Sequence, residues 1–395
     1  MSEKIEHVYD RENRGEGVLV IYTGGTIGTM HSRPLDPTSP LTVVSWQEFR
    51  RRTSSLSARL ADGSPNPRYI GFNVDGCSLT PVDSCNIGPD YWVEIARVIH
   101  DSYEHYDGFV VLHGTDTMVY TASALSFMLE GLDKPVVLTG AQLSHLANVR
   151  NDALQNLLTA LMIASPASSG LPVVPEVSIF FHEVLLRGNR SRKVTSSGLA
   201  AFASPDYPPL ATAGETIVVD RRVIRPAGTG GLRLRSRLDP NVISVIFFPG
   251  IQESSILETL LSTPTLRGVV LMTYGAGNAP DDERVLGPIA AAVKRGVVAV
   301  AVTQCTGGRV ELGRYEASAR LLEVGVLSGH DMTPEAALVK LMVLLGDENL
   351  SPADVLNLVG QDLAGELSVQ PAAGRGFLTS ASRPALEGRH GQISA

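Results

Sequence analysis

Short runs of apolar, β-branched residues alternate along this chain with longer segments that have helical periodicity. The apolar runs carry few polar positions, which is typical of strands covered on both faces. They predict strands at residues 18–22, 108–112, 135–138, 177–181, 242–248, 268–272 and 296–302. Strands of this kind are buried between layers of helix.

The segments between these runs place apolar side chains on one helix face. Met118, Ala122, Leu125 and Leu129 recur at helical spacing, and Gly131 ends the pattern. Comparable patterns predict helices at residues 89–103, 117–130, 152–164, 253–262, 282–295, 334–346 and 352–359.

The alternation of strands and helices predicts an α/β fold made of two α/β domains. The charged segment 220–241 contains Gly and Pro and marks their boundary as a linker. We expect a larger N-terminal domain at 17–219 with a mostly parallel sheet, and a smaller C-terminal domain at 242–366 with a parallel sheet. Residues 367–395 are rich in Gly, Ser and Pro, and we expect them to form a mobile tail.

The overall charge and the cysteine content exclude several classes of protein. The formal net charge is −8, from 33 basic and 41 acidic residues, which argues against a nucleic-acid partner. Three cysteines do not suggest a disulfide framework, and the polar N-terminus lacks the apolar core of a signal peptide. No apolar run has the length of a membrane span. We therefore expect a cytoplasmic protein that binds neither nucleic acid nor membrane.

The first strand ends in a glycine turn that is surrounded by threonines. Gly24 and Gly25 allow the backbone to approach a ligand closely, and Thr26 follows directly. The turn lacks the Lys-Ser/Thr of a phosphate-binding loop and the full dinucleotide fingerprint. It predicts a hydroxyl that projects into the crevice at the strand end, although a glycine turn with a capping threonine would look the same.

Two further loops place polar side chains before predicted helices. Thr115 and Asp116 follow Gly114 at a helix start, where the helix dipole favours an acid, although a plain N-cap is the alternative. Asp83 and Ser84 precede the helix at 89 and could hold the charged ends of a small zwitterion, although a polar turn would also explain them.

A short basic cluster at 187–193 supplies a candidate cation, Lys193, although a surface patch is the alternative. A threonine alcohol is a poor nucleophile until a base removes its proton. Thr115, Asp116 and Lys193 could form such a base relay for Thr26. Amides beside Gly25 and Gly114 could stabilise an oxyanion. Zinc motifs, a clustered set of histidines and a G-x-S-x-G elbow are missing, so we expect no metal or cofactor.

Taken in order along the chain, these segments resemble the bacterial-type L-asparaginases, and most closely their type I, cytoplasmic branch. The resemblance covers about residues 17–366. Its motifs are T-G-G-T-I-G at 23–28, D-S at 83–84, H-G-T-D-T-M at 113–118, T-G-A-Q at 139–142, F-F-x-x-x-L-x-R-G-N-R-x-x-K at 180–193, A-F-x-S-P at 201–205, Y-G-x-G-N-A-P at 274–280 and T-Q-C at 303–305.

The resemblance implies hydrolysis of L-asparagine to L-aspartate and ammonia through an acyl-enzyme. In this reading Thr26 is the nucleophile, and Asp116 also binds the substrate α-amino group. The α-carboxylate is bound by Ser84 with nearby backbone. Asn278 matches an asparagine that reaches the site of a neighbouring subunit, so the implied assembly is a homodimer or a dimer of dimers.

Two departures from the family pattern lead to further expectations. Residues 23–68 contain no tyrosine, whereas the family usually has one in the loop after the first threonine. The loop instead carries Pro34, Pro37 and Pro40, which should stiffen it. Met272 and Thr273 occupy the region where type I enzymes with an allosteric site have an arginine. We therefore expect weak or no allosteric activation around Cys305.

Alternatives to asparagine hydrolysis remain open at this point. The same scaffold could act on glutamine, on an amidated tRNA-bound residue or on a lysophospholipid ester. The missing tyrosine also allows a catalytically weak protein that senses asparagine.

Overall fold

The computed structural model describes residues 17–368, apart from residues 34, 35, 37, 61 and 315. Most of the predicted tail therefore lies outside the described residues. The same holds for Pro34 and Pro37, so the expected stiffness of their loop stays a prediction.

The chain forms strands and helices that alternate through most of its length. The strands are β1 Val18–Gly24, β2 Thr29–His31, β3 Leu41–Val43, β4 Val74–Val82, β5 Gly108–Leu112, β6 Leu129–Glu130, β7 Val136–Thr139, β8 Val177–Phe181, β9 Val184–Arg187, β10 Arg192–Lys193, β11 Phe202–Ala203, β12 Ala211–Ala213, β13 Ile217–Val219, β14 Arg233–Leu234, β15 Val242–Ile246, β16 Gly268–Thr273, β17 Val298–Thr303 and β18 Leu327–Ser328. The helices are α1 Trp46–Arg52, α2 Pro89–Ser102, α3 Met118–Met128, α4 Ala153–Ala164, α5 Pro166–Ser169, α6 Ile256–Leu261, α7 Glu283–Lys294, α8 Glu316–Glu323, α9 Pro334–Gly346 and α10 Pro352–Val359.

The N-terminal half is built on an eight-stranded mixed sheet in the order β13-β12-β9-β8-β7-β5-β1-β4. The five strands from β8 to β4 are parallel, and the remaining three pairings are antiparallel. The C-terminal half has a four-stranded parallel sheet in the order β15-β16-β17-β18. The predicted fold class, two α/β domains with a larger N-terminal and a smaller C-terminal sheet, is confirmed.

Strand β4 was not predicted, and its position at the sheet edge explains why. Its sequence, V-D-G-C-S-L-T-P-V, mixes polar and apolar positions because one side of the strand has no neighbour. Pro81 cannot donate to a ladder and is tolerated at an edge. The loop with the candidate residues Asp83 and Ser84 follows this strand directly.

Several predicted elements differ in extent from the observed ones. The predicted helix at 253–262 is a 3-10 turn at Ile251–Glu253 followed by the shorter α6. The predicted helix at 117–130 ends at Met128, because the next two residues form β6 and pair with β14. Strand β14 lies within the segment 220–241, whose role as a linker stays a prediction.

The two halves pack together through helices α3 and α9. Helix α3 follows the loop with Thr115 and Asp116, and Val339 and Val343 of α9 join the core cluster on that side of the large sheet. Helix α9 therefore brings the C-terminal half against α3, which follows the loop with Thr115 and Asp116.

Candidate active site

The polar loops predicted as a site meet at the carboxyl edge of the large sheet. Strands β4, β1 and β5 are neighbours in the sheet and run parallel. The loops after them therefore leave the sheet at the same edge. These loops contain Ser84, Thr26 and Thr115, respectively.

The glycine turns after β1 and β5 touch through their backbones. Gly25 has φ 79°, and a Cβ built on it would lie 2.4 Å from the Gly114 nitrogen. Thr26 follows Gly25 and begins a short 3-10 turn, Thr26–Gly28, and its carbonyl accepts a hydrogen bond from the Thr29 hydroxyl at 2.9 Å. Glycine is needed here because both the positive φ and the close approach exclude a side chain.

Lys193 reaches the turn after β5 from a distant part of the chain. Its Nζ donates to Thr115 Oγ1 at 2.8 Å and to Asp116 Oδ1 at 2.6 Å. Thr115 is buried, whereas the Asp116 side chain is 64% exposed and so retains an open face. Three of the four predicted catalytic residues are thus in direct contact, and Thr26 lies on the adjoining turn.

Ser84 is packed tightly against the same turn. A Cβ on Gly114 would lie 2.6 Å from Ser84 Oγ, and the Thr117 hydroxyl donates to the Ser84 carbonyl at 2.6 Å. Asp83 is exposed, and its Oδ1 accepts a hydrogen bond from the Cys85 amide at 3.2 Å. The loop after β4 is therefore fixed to the loop after β5, with a buried hydroxyl and an exposed carboxylate.

Backbone donors are also available at this edge. Within the described part of the chain, no residue accepts a hydrogen bond from the amides of Gly114 or Thr115. Free amides at a turn can donate to the oxygen of a bound amide or carboxylate.

Two family models match most of the chain. A family model described as "Asparaginase, N-terminal" matches residues 17–225, and one described as "Glutaminase/Asparaginase C-terminal domain" matches residues 241–358. The chain belongs to the L-asparaginase family. It is an amidohydrolase, and it combines a large mixed sheet with a small parallel one as expected for that family.

Several relatives resemble it over most of its length. It is 39% identical to L-asparaginase 1 of Escherichia coli (strain K12), over 89% of this chain and 98% of that one. Its structure matches the crystal structure of L-asparaginase I from Vibrio cholerae with a TM-score of 0.77. The two sequences are 38% identical, over 90% of this chain and 100% of that one. It is also 40% identical to the 60 kDa lysophospholipase of Mus musculus, over 89% of this chain, but it spans only 62% of that protein.

His113 is a buried residue to which the sequence reasoning gave no role. Its Nδ1 lies 2.7 Å from the Gly114 carbonyl and must donate to it, so its Nε2 accepts from the Thr121 hydroxyl at 2.8 Å. Burial lowers the pKa of His113 to about 4, because the charged form would be desolvated. A neutral imidazole therefore holds the turn between Gly114 and helix α3. A histidine directly after a fully buried strand was the available signal.

Among the described residues, no hydrogen bond or ion pair joins Asn278 to the other candidate residues. It lies in the loop after β16, where its backbone pairs with Tyr274. Its side-chain Oδ1 is buried and has no hydrogen-bond partner among the described residues. Cys305 is exposed at the end of β17. Weak allosteric activation around it stays a prediction.

Among the described residues, no group of three or more His, Cys, Asp or Glu side chains could hold a metal ion. No helix in the described ranges is both long enough and apolar enough to cross a membrane.

Proposed function

We propose that this chain hydrolyses the side-chain amide of L-asparagine to L-aspartate and ammonia, with Thr26 as the nucleophile. The observation that carries the proposal is the contact of Lys193 Nζ with both Thr115 Oγ1 and Asp116 Oδ1, beside the Thr26 turn. Lys193 lies more than 70 positions beyond Thr115 and Asp116 in the sequence, so the fold brings its amine next to their hydroxyl and carboxylate at one strand edge. The enzymatic identity of the relatives, several of which are named L-asparaginase, supports the same substrate.

In the first step, the Thr26 oxygen attacks the carbon of the substrate amide. The Thr26 proton passes to the relay formed by Thr115, Asp116 and Lys193, and the amide oxygen becomes an oxyanion held by backbone N–H groups. The carbon–nitrogen bond then breaks, and the nitrogen takes a proton and leaves as ammonia. Water attacks the resulting ester, which releases aspartate and restores the Thr26 hydroxyl.

The charged ends of the substrate have matching groups in this reading. The exposed carboxylate of Asp116 faces solvent and can accept the α-ammonium. The α-carboxylate can be bound by Ser84 and by the free amides of the adjoining turn, with Asp83 at the rim. Asn278 would complete the site of a neighbouring subunit, which makes the proposed active form a homodimer or a dimer of dimers. We infer a cytoplasmic location from the composition.

Ammonia release from asparagine tests the proposal directly. Thr26→Ala and Lys193→Ala should each lower kcat by at least about 100-fold, because each removes part of the nucleophile and its base. Thr26→Ser keeps a hydroxyl and should retain measurable activity. Lys134→Ala is the matched lysine control, because Lys134 binds the Tyr103 carbonyl at 2.6 Å, far from these loops in the fold. Wild-type rates in both Thr26→Ala and Lys193→Ala would remove the proposal.

The similarity to the mouse lysophospholipase motivates a second substrate class, a lysophospholipid ester. Comparing kcat/KM for asparagine, glutamine and a lysophosphatidylcholine would rank the three substrates. Asparagine binding in a calorimeter without ammonia release would instead favour a sensor.

A further inference from the structure

The strand that carries Lys193 is very short. Strand β10 has two residues and pairs only with β11, with Arg192 opposite Ala203 and Lys193 opposite Phe202. Successive side chains on a strand point to opposite faces. Lys193 therefore faces Thr115 and Asp116, whereas Arg192 faces away from them. Two residues of ladder leave the position of the amine weakly determined by the strand itself.

Arg192 is held by an acid from the C-terminal half. Its Nε lies 3.3 Å from Glu335 Oε1, and the two side chains are 24% and 13% exposed. Glu335 stands in the first turn of α9, where the helix dipole favours a carboxylate, and Thr333 caps this helix end. The other carboxylate oxygen, Glu335 Oε2, is buried and has no hydrogen-bond partner among the described residues. A buried carboxylate oxygen without a hydrogen-bond partner has lost its hydration, so its position calls for a specific explanation.

The Glu335 carboxylate of α9 lies near both β10 and α3. Tyr120 on α3, four residues after Asp116, has its pKa raised by burial and further by the nearby Glu335 charge, while Arg192 acts in the opposite direction. Two residues before Arg192, the buried Arg190 pairs with Asp331 at 3.1 Å. Residues at and just before the start of α9 therefore form ion pairs with both Arg190 and Arg192, just before Lys193 in the sequence.

We infer that Glu335 is a positioning residue which, through Arg192, holds β10 so that the Lys193 amine stays within hydrogen-bond distance of Thr115 and Asp116. The inference rests on the proposed role of Lys193. Its physical basis is that a base must be held in a narrow geometry, since a displacement of about 1 Å can cost about 100-fold in rate. The C-terminal half thus contributes to the alignment of a base that belongs to the N-terminal half.

Steady-state kinetics on asparagine test this inference through the split between kcat and KM. Glu335→Gln keeps the shape of the side chain but removes its charge, and should lower kcat by about 10-fold with KM within about 3-fold. Arg192→Met should have a similar effect. The double variant should be no slower than the slower single variant, because both changes break one contact. Arg192→Lys keeps the charge and should be intermediate.

The matched control is Glu130→Gln, the same change of side chain. It weakens the ion pairs of Glu130 with Arg233 at 2.6 Å and with Arg235 at 3.3 Å, which involve neither β10 nor the first turn of α9. This variant should keep kcat within about 2-fold of wild type. Thermal unfolding of every variant shows whether a loss of rate follows a loss of stability.

The outcomes separate the inference from the proposed function. If the wild type releases ammonia, Lys193→Ala does not, and Glu335→Gln keeps the full kcat, then the positioning role is overturned. It is also overturned if Glu335→Gln and Glu130→Gln lose rate and melting temperature in parallel, or if the Arg192 and Glu335 effects add. If Glu335→Gln does not fold, Arg192→Lys and Arg192→Met decide by the same criteria. A wild type without ammonia release would instead reject the proposed function.

Discussion

Single cationic residues in the cluster at 187–193 have different environments and hence different roles. Arg187 and Arg190 are buried, Arg192 is largely buried, and Lys193 lies at the site edge. Their acidic partners, in the same order, are Glu176, Asp331, Glu335 and Asp116. A buried cation needs such a partner because the desolvation penalty is otherwise several kcal/mol. Of these four pairs, only Lys193 with Asp116 leaves its carboxylate exposed to a ligand.

The acid sensitivity of the fold should depend on His113. Its folded pKa is about 4, below the ordinary value of about 6.5, so the unfolded chain takes up a proton first as the pH falls. The stabilisation is complete above about pH 6.5 and is lost progressively towards pH 4. At pH 5 the expected loss from this group is about 2 kcal/mol relative to pH 7.5.

Urea unfolding at pH 7.5 and pH 5 measures this effect. His113→Asn places an amide nitrogen near the Nδ1 position and does not titrate, so it should lose less stability between the two pH values than wild type. His145, whose pKa burial also lowers to about 4, should show a similar contribution when it is replaced by Gln. An identical pH dependence in wild type and His113→Asn would contradict the assignment.

At the scale of elements, the turns after β1 and β5 act as a single backbone unit. Gly25→Ala would push a methyl group into the Gly114 backbone at 2.4 Å, so one of the two turns must move. We expect a fall of at least about 100-fold in kcat/KM, because Thr26 and Thr115 would be displaced relative to each other.

Gly63→Ala is the matched control for this prediction. Gly63 has φ 83°, almost the same as Gly25, but a Cβ there meets nothing within 4 Å. Both variants carry the strain of a positive φ, about 1 kcal/mol, and only Gly25→Ala adds the clash. Equal kcat/KM in the two variants would show that the contact between the turns is unimportant.

Elements covered on both faces could be predicted from sequence, and elements defined by distant partners could not. Strands β1 and β5 appear as apolar runs because helices cover both of their faces. Strand β4 escaped prediction because an edge strand keeps polar positions. The relay of Lys193 with Thr115 and Asp116 was expected beside the alternative of a surface patch, since neither strand pattern nor charge shows which cation of a cluster points inward, and the motif resemblance then supported it. The position of Glu335 depends on tertiary packing, for which the local sequence carries no signal, whereas His113 could have been noticed from its place directly after a buried strand.

At the scale of the whole molecule, the segment 361–368 joins the two halves. From the N-terminal half, Arg190 donates to the Gly365 carbonyl at 2.7 Å, and Asn189 donates to the Ala364 carbonyl at 2.9 Å. Leu367 is buried and the Ser368 amide donates to Asp331 Oδ1 at 2.8 Å, although the predicted tail began at residue 367. The segment 361–368, called the clasp below, therefore forms hydrogen bonds with both the N-terminal and the C-terminal half.

The central contact of this clasp is the buried pair between Lys340 and Glu366. Lys340 Nζ lies 2.5 Å from Glu366 Oε1 and also donates to the Val359 and Gln361 carbonyls, so all three of its protons are used. Both side chains are at most 1% exposed. Lys340→Met leaves a buried carboxylate without its cation and should destabilise the protein by about 3–5 kcal/mol.

The double variant Lys340→Met with Glu366→Gln removes both charges and should be more stable than Lys340→Met alone, because the unpaired carboxylate is gone. Urea unfolding followed by the fluorescence of the two tryptophans would measure Lys340→Met, Glu366→Gln and the double variant. Arg222→Met, which breaks an exposed pair with Asp220, should cause a barely measurable change. Strictly additive losses from the two single variants would mean that the pair is not coupled. The clasp would then be held mainly by the hydrogen bonds that the Asn189 and Arg190 side chains donate to its carbonyls and by the bond from the Ser368 amide to Asp331.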